Sequence, residues 1–205
     1  MIILCRSVKG GSGTTVTSAA LALLLSARHR GGGHVVDLNG DIPAALGISE
    51  PLDPSSNEVN SALRLISRPM AHDANDTQWL SLATELSSLR GPVVVDVGTL
   101  RPSSALLDAA TASYLVTRPC YLALRHATTS LGRHNMRIDG CILIDEPGRA
   151  LTAGDVSAVL HVPVSAKLAV DTNVARAVDA GLLAHRVPKS LDEGLADLIA
   201  THTSN

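Results

Sequence analysis

Short apolar runs alternate with segments of helical periodicity along this chain of 205 residues. The apolar runs are rich in β-branched residues and are bounded by glycine, proline or polar residues, which is typical of buried strands in a parallel sheet. The segments between them repeat apolar residues at helical spacing. The pattern predicts an α/β fold, a doubly wound, mostly parallel sheet with helices on both faces.

The predicted elements cover most of the chain. Six strands are predicted, over residues 1–8, 34–38, 92–98, 113–118, 140–145 and 162–168. Helices are predicted over residues 15–27, 57–66, 76–89, 103–110, 121–133, 153–160, 172–183 and 191–200. Residues 47–60, with two prolines and several Ser, Asn and Asp, are predicted to contain a loop. No repeat or boundary signal interrupts the pattern, so residues 1–205 are expected to form a single domain.

Composition narrows the classes of protein that this chain can be. Hydrophobic residues make up 45 %, with no Phe, one Trp and two Tyr, so an aliphatic core is expected. A net charge of −2 disfavours a protein whose main task is to coat nucleic acid, because phosphate binding depends on clustered Lys and Arg. The three cysteines, Cys5, Cys120 and Cys141, are expected to be reduced thiols in the core.

The same sequence contains no predicted export signal or membrane segment. No charged region precedes a short apolar stretch, and no uncharged apolar run reaches the roughly 18–20 residues that a membrane span needs. The final amphipathic stretch, 191–205, carries acidic residues and no Lys or Arg, so no direct membrane anchor is expected. A cytoplasmic protein is therefore predicted.

A glycine-rich loop between the first predicted strand and helix has the layout of an anion site. Gly10, Gly11 and Gly13 would let backbone N–H groups approach a phosphate, and the positive end of the following helix would favour its charge. Ser12 would add a hydroxyl donor. Thr15 occupies the position at which phosphate-binding loops place a Mg²⁺-binding hydroxyl. A tight connection without a ligand is the alternative.

The stretch "KGGSGTT", residues 9–15, resembles the deviant Walker A motif K-G-G-x-G-K-[ST] of the ParA/MinD family of dimerising ATPases. The resemblance implies that Lys9 reaches across a homodimer to the partner's phosphates, as a catalytic residue. The second lysine of the motif, which binds phosphates within its own subunit, is replaced by Thr14. Such a replacement resembles the CpaE/TadZ branch, which acts in pilus assembly and polar localisation.

Two further segments resemble the family's switch regions and imply ATP or ADP with Mg²⁺. After the second predicted strand, Asp37 matches the first aspartate of a D-x-D pattern and is a candidate metal ligand. Asn39 stands where the family orients the attacking water, although an amide cannot accept a proton as a carboxylate can. Asp41 is a candidate substitute for that role. Alternatively, Asn39 and Gly40 form a plain turn.

The run at 91–99 resembles the Walker B strand and the second switch. Asp96, at the carboxyl end of a predicted strand, is a candidate ligand of a Mg²⁺-bound water, since open α/β sheets bind ligands at that edge. Capping of the next turn is the alternative role for Asp96. Gly98 and Thr99 would approach the γ-phosphate.

The C-terminal third resembles the last core strands of MinD-type proteins. Family members often place Asn-Arg after the strand corresponding to 140–145, where they recognise adenine. This chain has Asp145 and Glu146, so a carboxylate of Asp145 is the candidate base contact, and either adenine or guanine is compatible with it. A turn at the end of a strand is the equal alternative for Asp145.

Two classes of function follow from these residues. In the first, the protein is a nucleotide-dependent homodimer that acts with an unidentified partner protein as a positioning or partitioning switch, with slow or absent ATP hydrolysis. In the second, it is a pseudo-ATPase scaffold that binds partner proteins without nucleotide. A motor that segregates DNA is a third possibility, which the charge balance disfavours, and direct DNA binding is not expected.

Overall fold

The computed structural model describes residues 1–48, 58–134 and 137–203 and contains a parallel sheet of seven strands in the order β3-β2-β4-β1-β5-β6-β7. In chain order the elements are β1 Ile2–Arg6, α1 Thr14–Arg28, β2 Gly33–Asp37, α2 Ile42–Leu46, β3 Leu63–Ser67, α3 Asp76–Ser88, β4 Val93–Gly98, α4 Ser104–Ala109, β5 Ala112–Thr117, α5 Tyr121–His134, β6 Gly140–Asp145, α6 Ala153–Leu160, β7 Val164–Ala169, α7 Thr172–Asp179 and α8 Lys189–Thr203. The predicted α/β class and parallel sheet are confirmed. Most of the predicted loop at 47–60 lies outside the described residues.

One predicted helix is wrong. Residues 57–66 were predicted to be helical, but the described part of this segment leads into β3, which pairs in parallel register with β2. Leu63 and Leu65 are buried while Arg64 between them is exposed, which is the two-residue period of a strand. Asn60 Oδ1 accepts hydrogen bonds from the N–H groups of Ala62 and Leu63, at 2.9 Å each, and directs the chain into the strand.

Alternation along the strands divides the core between two faces of the sheet. On β1, Ile3 and Cys5 face a cluster built with α1 and α8, whereas Ile2 and Leu4 face a cluster built with α3 and α4. A third cluster joins β5 and β6 to α5 and α6. The predicted helices on both faces are therefore confirmed, and the core is aliphatic apart from residues such as Trp79 and Tyr114.

The cysteine prediction holds for two of the three thiols. Cys5 and Cys141 are buried, and burial raises the pKa of each to about 12. Cys120 is only half-buried and lies just before α5, so its assignment to the core was wrong. The backbone N–H of Ala123 lowers the pKa of the Cys120 thiol, and the charges of Arg149 and Lys9 act in the same direction.

None of the helices in the described ranges is both long and apolar enough to cross a membrane.

Candidate functional site

The candidate site lies where the chain leaves two neighbouring strands in opposite directions. β1 and β4 are adjacent, yet α1 packs on one face of the sheet and α4 on the other. Their loops therefore separate at the carboxyl edge and leave a crevice, the usual ligand position in open α/β sheets. The Ser7 N–H donates to the Gly98 carbonyl at 2.7 Å and holds the floor of this crevice together.

The glycine-rich loop forms one wall of a cleft of about 370 Å³, which we call the nucleotide cleft. Its lining residues are Ser7, Gly10, Gly11, Ser12, Gly13, Thr14, Thr15, Val16, Asn39, Asp41, Gly98 and Thr99. Gly11 and Gly13 adopt φ angles of 76° and 84°, a region that residues with a Cβ rarely occupy. The Ser12 hydroxyl donates to the Lys9 carbonyl at 2.8 Å and closes the turn.

The start of α1 is open to an anion. No side chain caps this helix, whose N-cap is Gly13, and its first turn contains no acidic residue. The first N–H groups of an α-helix have no acceptor within the helix, and here they belong to Thr14, Thr15 and Val16, which all line the cleft. Together with the helix dipole, these groups form a site suited to phosphate.

Asp96 supplies a buried carboxylate beside this wall. Its side chain is 0 % exposed, and Oδ1 accepts a hydrogen bond from the Gly98 N–H at 3.1 Å. Oδ2 is buried and has no hydrogen-bond partner of good geometry, although the Thr15 hydroxyl is near enough to influence the carboxyl group. Burial raises the pKa of Asp96 to about 6, while the Thr15 hydroxyl acts in the opposite direction. An unsatisfied oxygen next to a hydroxyl is a donor pair that suits Mg²⁺.

The remaining ligands of such a cation would have to be phosphate oxygens and water. In the parts of the chain that are described, no three His, Cys, Asp or Glu side chains are grouped so that they could bind a metal by themselves. Mg²⁺ commonly binds through one or two protein ligands together with substrate phosphates and water. The residues present therefore fit a nucleotide-dependent Mg²⁺ site.

Asp37 is buried and holds the loop that follows β2. Its Oδ1 accepts from the N–H groups of Asn39 and Gly40, at 3.0 and 2.8 Å, and its Oδ2 accepts from the Ile42 N–H at 3.1 Å. These bonds fix the chain at the entry to α2. Any contact between Asp37 and a metal would add to these three hydrogen bonds.

Asn39 ties the loops after β2 and β4 together. Its Nδ2 donates to the backbone carbonyl of Asp96 at 3.0 Å. Gly98 makes room for this amide, because a Cβ at position 98 would lie 2.5 Å from both Asn39 Oδ1 and Nδ2. Only the Oδ1 atom of Asn39 remains to accept a bond from water. Asp41, which is exposed, is the carboxylate that lines the cleft.

Four predicted residues are absent from the lining of the cleft: the buried Asp37 and Asp96 described above, and also Lys9 and Asp145. Lys9 is exposed and lies close enough to Cys120 for its charge to lower the pKa of that thiol. Asp145 forms an ion pair with Lys167, with 3.1 Å between Oδ2 and Nζ. Ile144 lies near the glycine-rich loop instead, since a Cβ on Gly13 would be 3.6 Å from its side chain.

The sequence did not indicate the partners of Glu146. This carboxylate is only 14 % exposed and forms ion pairs with both Arg118 and Arg149. Arg118 follows β5 and Glu146 follows β6, so the parallel sheet brings their positions together at one edge. The signal that could have found this cluster is the position of both residues directly after paired strands.

Comparisons with known proteins give a consistent fold and low sequence identity. No protein-family model matches the sequence, and no curated protein is significantly similar to it. A ParA family ATPase from Chlorobium tepidum TLS aligns with a TM-score of 0.78 and 19 % identity, over 97 % of this chain and 96 % of that one.

Two MinD structures are also similar. The septum site-determining protein MinD from Pyrococcus horikoshii OT3, complexed with Mg-ADP, has a TM-score of 0.75 and 19 % identity, over 98 % of this chain and 95 % of that one. A MinC:MinD cell division protein complex from Aquifex aeolicus contains a chain with a TM-score of 0.76 and 14 % identity, over 100 % of this chain and 96 % of that one. The chain therefore has the fold of these ATPases over nearly its whole length.

Proposed function

We propose that this protein is a nucleotide-binding positioning or partitioning switch of the ParA/MinD type, with slow or absent ATP hydrolysis. The proposal rests on the start of α1, which has no side-chain cap, and on the neighbouring Asp96 Oδ2, which has no hydrogen-bond partner among the described residues. Both lie at the carboxyl edge of the sheet, in a fold that is also found in a MinD complexed with Mg-ADP. Within this type, we propose a member similar to the CpaE/TadZ branch, which the motif "KGGSGTT" with Thr14 in place of the second lysine supports.

Phosphate binding would fall to backbone groups rather than to a cation. An anion at the start of α1 would be bound by backbone N–H groups of the loop from Gly10 to Thr15, which lines the cleft. Thr15 and Asp96 would hold Mg²⁺, which neutralises phosphate charge when bound. Asp37 would support this site by fixing the loop before α2. ATP and ADP are the proposed ligands, and Gly98 and Thr99 would lie nearest the terminal phosphate.

Hydrolysis would be slow because the residues that act on γ-phosphate and water are incomplete. Thr14 stands where the motif would place a second lysine, and the described part of the cleft lining contains no Lys or Arg. The developing negative charge would therefore meet no cationic side chain from these residues. The Asn39 amide donates to the Asp96 carbonyl, which leaves Asp41 as the carboxylate available to accept a proton from water.

Lys9 and Asp145, which lie outside the cleft lining, would contact the partner subunit's phosphates and the nucleotide base, respectively. Lys9 is exposed and does not line the cleft of its own subunit, which supports a role across a homodimer at the partner's phosphates. A base contact by Asp145 would require its carboxylate to leave or share the ion pair with Lys167. The proposed switch would act with a partner protein, in the cytoplasm, without direct binding to DNA or a membrane anchor of its own.

One observation favours the alternative function, a scaffold that binds partner proteins without nucleotide. Of the described residues that line the nucleotide cleft, Asp41 is the one with a charged side chain. A triphosphate would therefore meet a negative charge and no side-chain cation. The scaffold alternative and the switch differ in one measurable property, which is nucleotide binding.

Calorimetry and thermal unfolding with Mg²⁺-ATP, Mg²⁺-ADP and Mg²⁺-GTP test the proposal. Ligand at 100 times its Kd should raise the free energy of unfolding by about 2.7 kcal/mol. We expect binding that disappears when EDTA removes Mg²⁺. Absence of binding by all three nucleotides at millimolar concentration would establish the scaffold alternative.

The homodimer is tested by mass measurement with and without Mg²⁺-ATP. Lys9→Ala should abolish nucleotide-dependent dimerisation while nucleotide binding to the monomer persists. Arg30→Ala removes an equally exposed positive charge that does not line the cleft and should leave dimerisation unchanged. Equal loss in both variants, or no loss in Lys9→Ala, would refute the assignment of Lys9.

A further inference from the structure

A second concave surface lies away from the nucleotide cleft, between α7 and the chain that leads into α8. This surface, which we call the α7–α8 groove, has a volume of about 710 Å³. It is lined by Asp171, Asn173, Arg176, Ala177, Ala180, Leu182, His185, Arg186, Pro188, Lys189 and Ser190. None of these residues contributes to the nucleotide cleft.

The groove combines an apolar floor with basic side chains. Ala177, Ala180 and Leu182 provide apolar surface, and the Leu182 side chain is 51 % exposed. Leu182 lies in the chain that follows α7, and no residue of α7 itself is fully buried. Exposed apolar surface framed by polar groups is typical of an interaction site.

The charges of the groove are not balanced within the chain. Arg176, Arg186 and Lys189 line it, against a single acidic residue, Asp171. Neither arginine forms a salt bridge with a carboxylate of the described residues, whereas Lys189 pairs with Glu193 at 3.3 Å. Because the whole chain carries a net charge of −2, this concentration of positive charge is local.

Two fixed contacts make the groove a preformed surface. The Ser190 hydroxyl donates to Asp171 Oδ2 at 2.7 Å and joins the start of α7 to the start of α8. At the other end of α7, Gly181 packs directly against Gly47 at the end of α2, where a Cβ on Gly47 would lie 2.2 Å from the Gly181 carbonyl oxygen. A site with fixed walls binds a ligand at a lower cost in conformational entropy.

We propose that the α7–α8 groove binds an acidic segment of a partner protein that also presents aliphatic side chains. Carboxylates of this segment would pair with Arg176 and Arg186, and its aliphatic side chains would cover Leu182. Nucleic acid fits less well, because a phosphate backbone offers nothing to the apolar floor, and Asp171 would oppose it. The proposal does not depend on nucleotide binding.

The test uses the full chain and a display library of random 16-residue peptides, without nucleotide. We expect selected peptides to carry net negative charge and aliphatic residues, and to bind in fluorescence anisotropy. The double variant R176E/R186E should weaken binding at least tenfold, and Leu182→Ser should weaken it as well. Arg30→Glu, a charge reversal at an exposed arginine outside the groove, should leave the Kd unchanged.

Folding of each variant is checked by its circular dichroism spectrum and midpoint of thermal unfolding. The exposed positions of Arg176 and Arg186 make loss of the fold unexpected, and R176A/R186A provides a milder pair if the reversal disturbs it. The proposal is overturned if no peptide is enriched, if enriched peptides are basic, or if their Kd is insensitive to both double variants. It is also overturned if duplex DNA or anionic vesicles, rather than acidic peptides, bind in an Arg176- and Arg186-dependent manner.

Discussion

Replacing Thr14 with lysine tests whether the missing cation limits nucleotide binding. Thr14 is the first residue of α1 and lines the nucleotide cleft, where its side chain is 6 % exposed. The cleft of about 370 Å³ leaves space for a longer side chain directed toward the phosphates. Among the described lining residues Asp41 alone is charged, so Thr14→Lys would add a positive side chain where these residues supply none.

The expected size of the effect follows from the strength of one charged hydrogen bond. Such a bond contributes roughly 1.5–3 kcal/mol. Since about 1.4 kcal/mol corresponds to a tenfold change in Kd, Thr14→Lys should tighten Mg²⁺-ATP binding by about one to two orders of magnitude. The gain for Mg²⁺-ADP should be smaller if the lysine contacts the γ-phosphate.

Isothermal titration calorimetry of wild type, Thr14→Lys and Thr14→Met measures this change. Methionine is nearly as long as lysine and lacks the charge, so it separates the steric effect from the electrostatic one. The Kd of Thr14→Met should stay within a fewfold of wild type. Equal tightening by Met and Lys, or an unchanged Kd in a folded Thr14→Lys protein, would refute the electrostatic reasoning.

Three further predictions concern stability. Asn39→Asp replaces the amide donor to the Asp96 carbonyl by a carboxylate and should lower the free energy of unfolding, measured by urea titration, by about 1–3 kcal/mol. The control Asn75→Asp, at an exposed helix N-cap, should change it very little, because Asp caps a helix as well as Asn does. Equal effects at both positions would contradict a stabilising role of the hydrogen bond from Asn39 to the Asp96 carbonyl. Burial raises the pKa of Asp96 from 3.8 to about 6, so Asp96→Asn should stabilise the protein by up to about 3 kcal/mol at neutral pH without Mg²⁺. The same variant should lose the stabilisation by Mg²⁺-nucleotide, and a destabilised variant would contradict this account of the site. Burial lowers the pKa of His202 below 6.5, so its neutral form is favoured on folding, and the stability of wild type relative to His202→Gln should fall as the pH drops through 6.5. A difference that stays flat over this pH range would show that the titration of His202 is not linked to folding.

The candidate site could be predicted from the sequence only where it depends on the local backbone. The glycines at 10, 11 and 13 follow a strand and precede a helix, and the structure gives Gly11 and Gly13 the left-handed φ angles that only glycine adopts readily. Lys9, Thr14 and Thr15 belong to the same short stretch of sequence as these glycines, so they were identified together with them. The position of the loop at the carboxyl edge then follows from the alternation of strands and helices.

Contacts between distant segments were not encoded in such local patterns. Asn39 was recognised as a candidate, but only the sheet order shows that its side chain reaches the Asp96 carbonyl on β4. Likewise, the partners of Glu146 come from the ends of other strands and from a loop. A hydrogen bond or ion pair of this kind depends on which strands become neighbours.

By itself, the sequence determined the fold class, six of the strands and the turn of the glycine-rich loop, because hydrophobic period and glycine conformation act over a few residues. Tertiary structure alone decided that residues 63–67 form β3, since this short segment is fixed by pairing with β2 and by burial of alternate side chains. It also decided the α7–α8 groove, since Ser190 on α8 bonds to Asp171 before α7, and Gly181 after α7 packs against Gly47. These contacts join residues far apart in the chain, and their energies become available only once the sheet has brought them together.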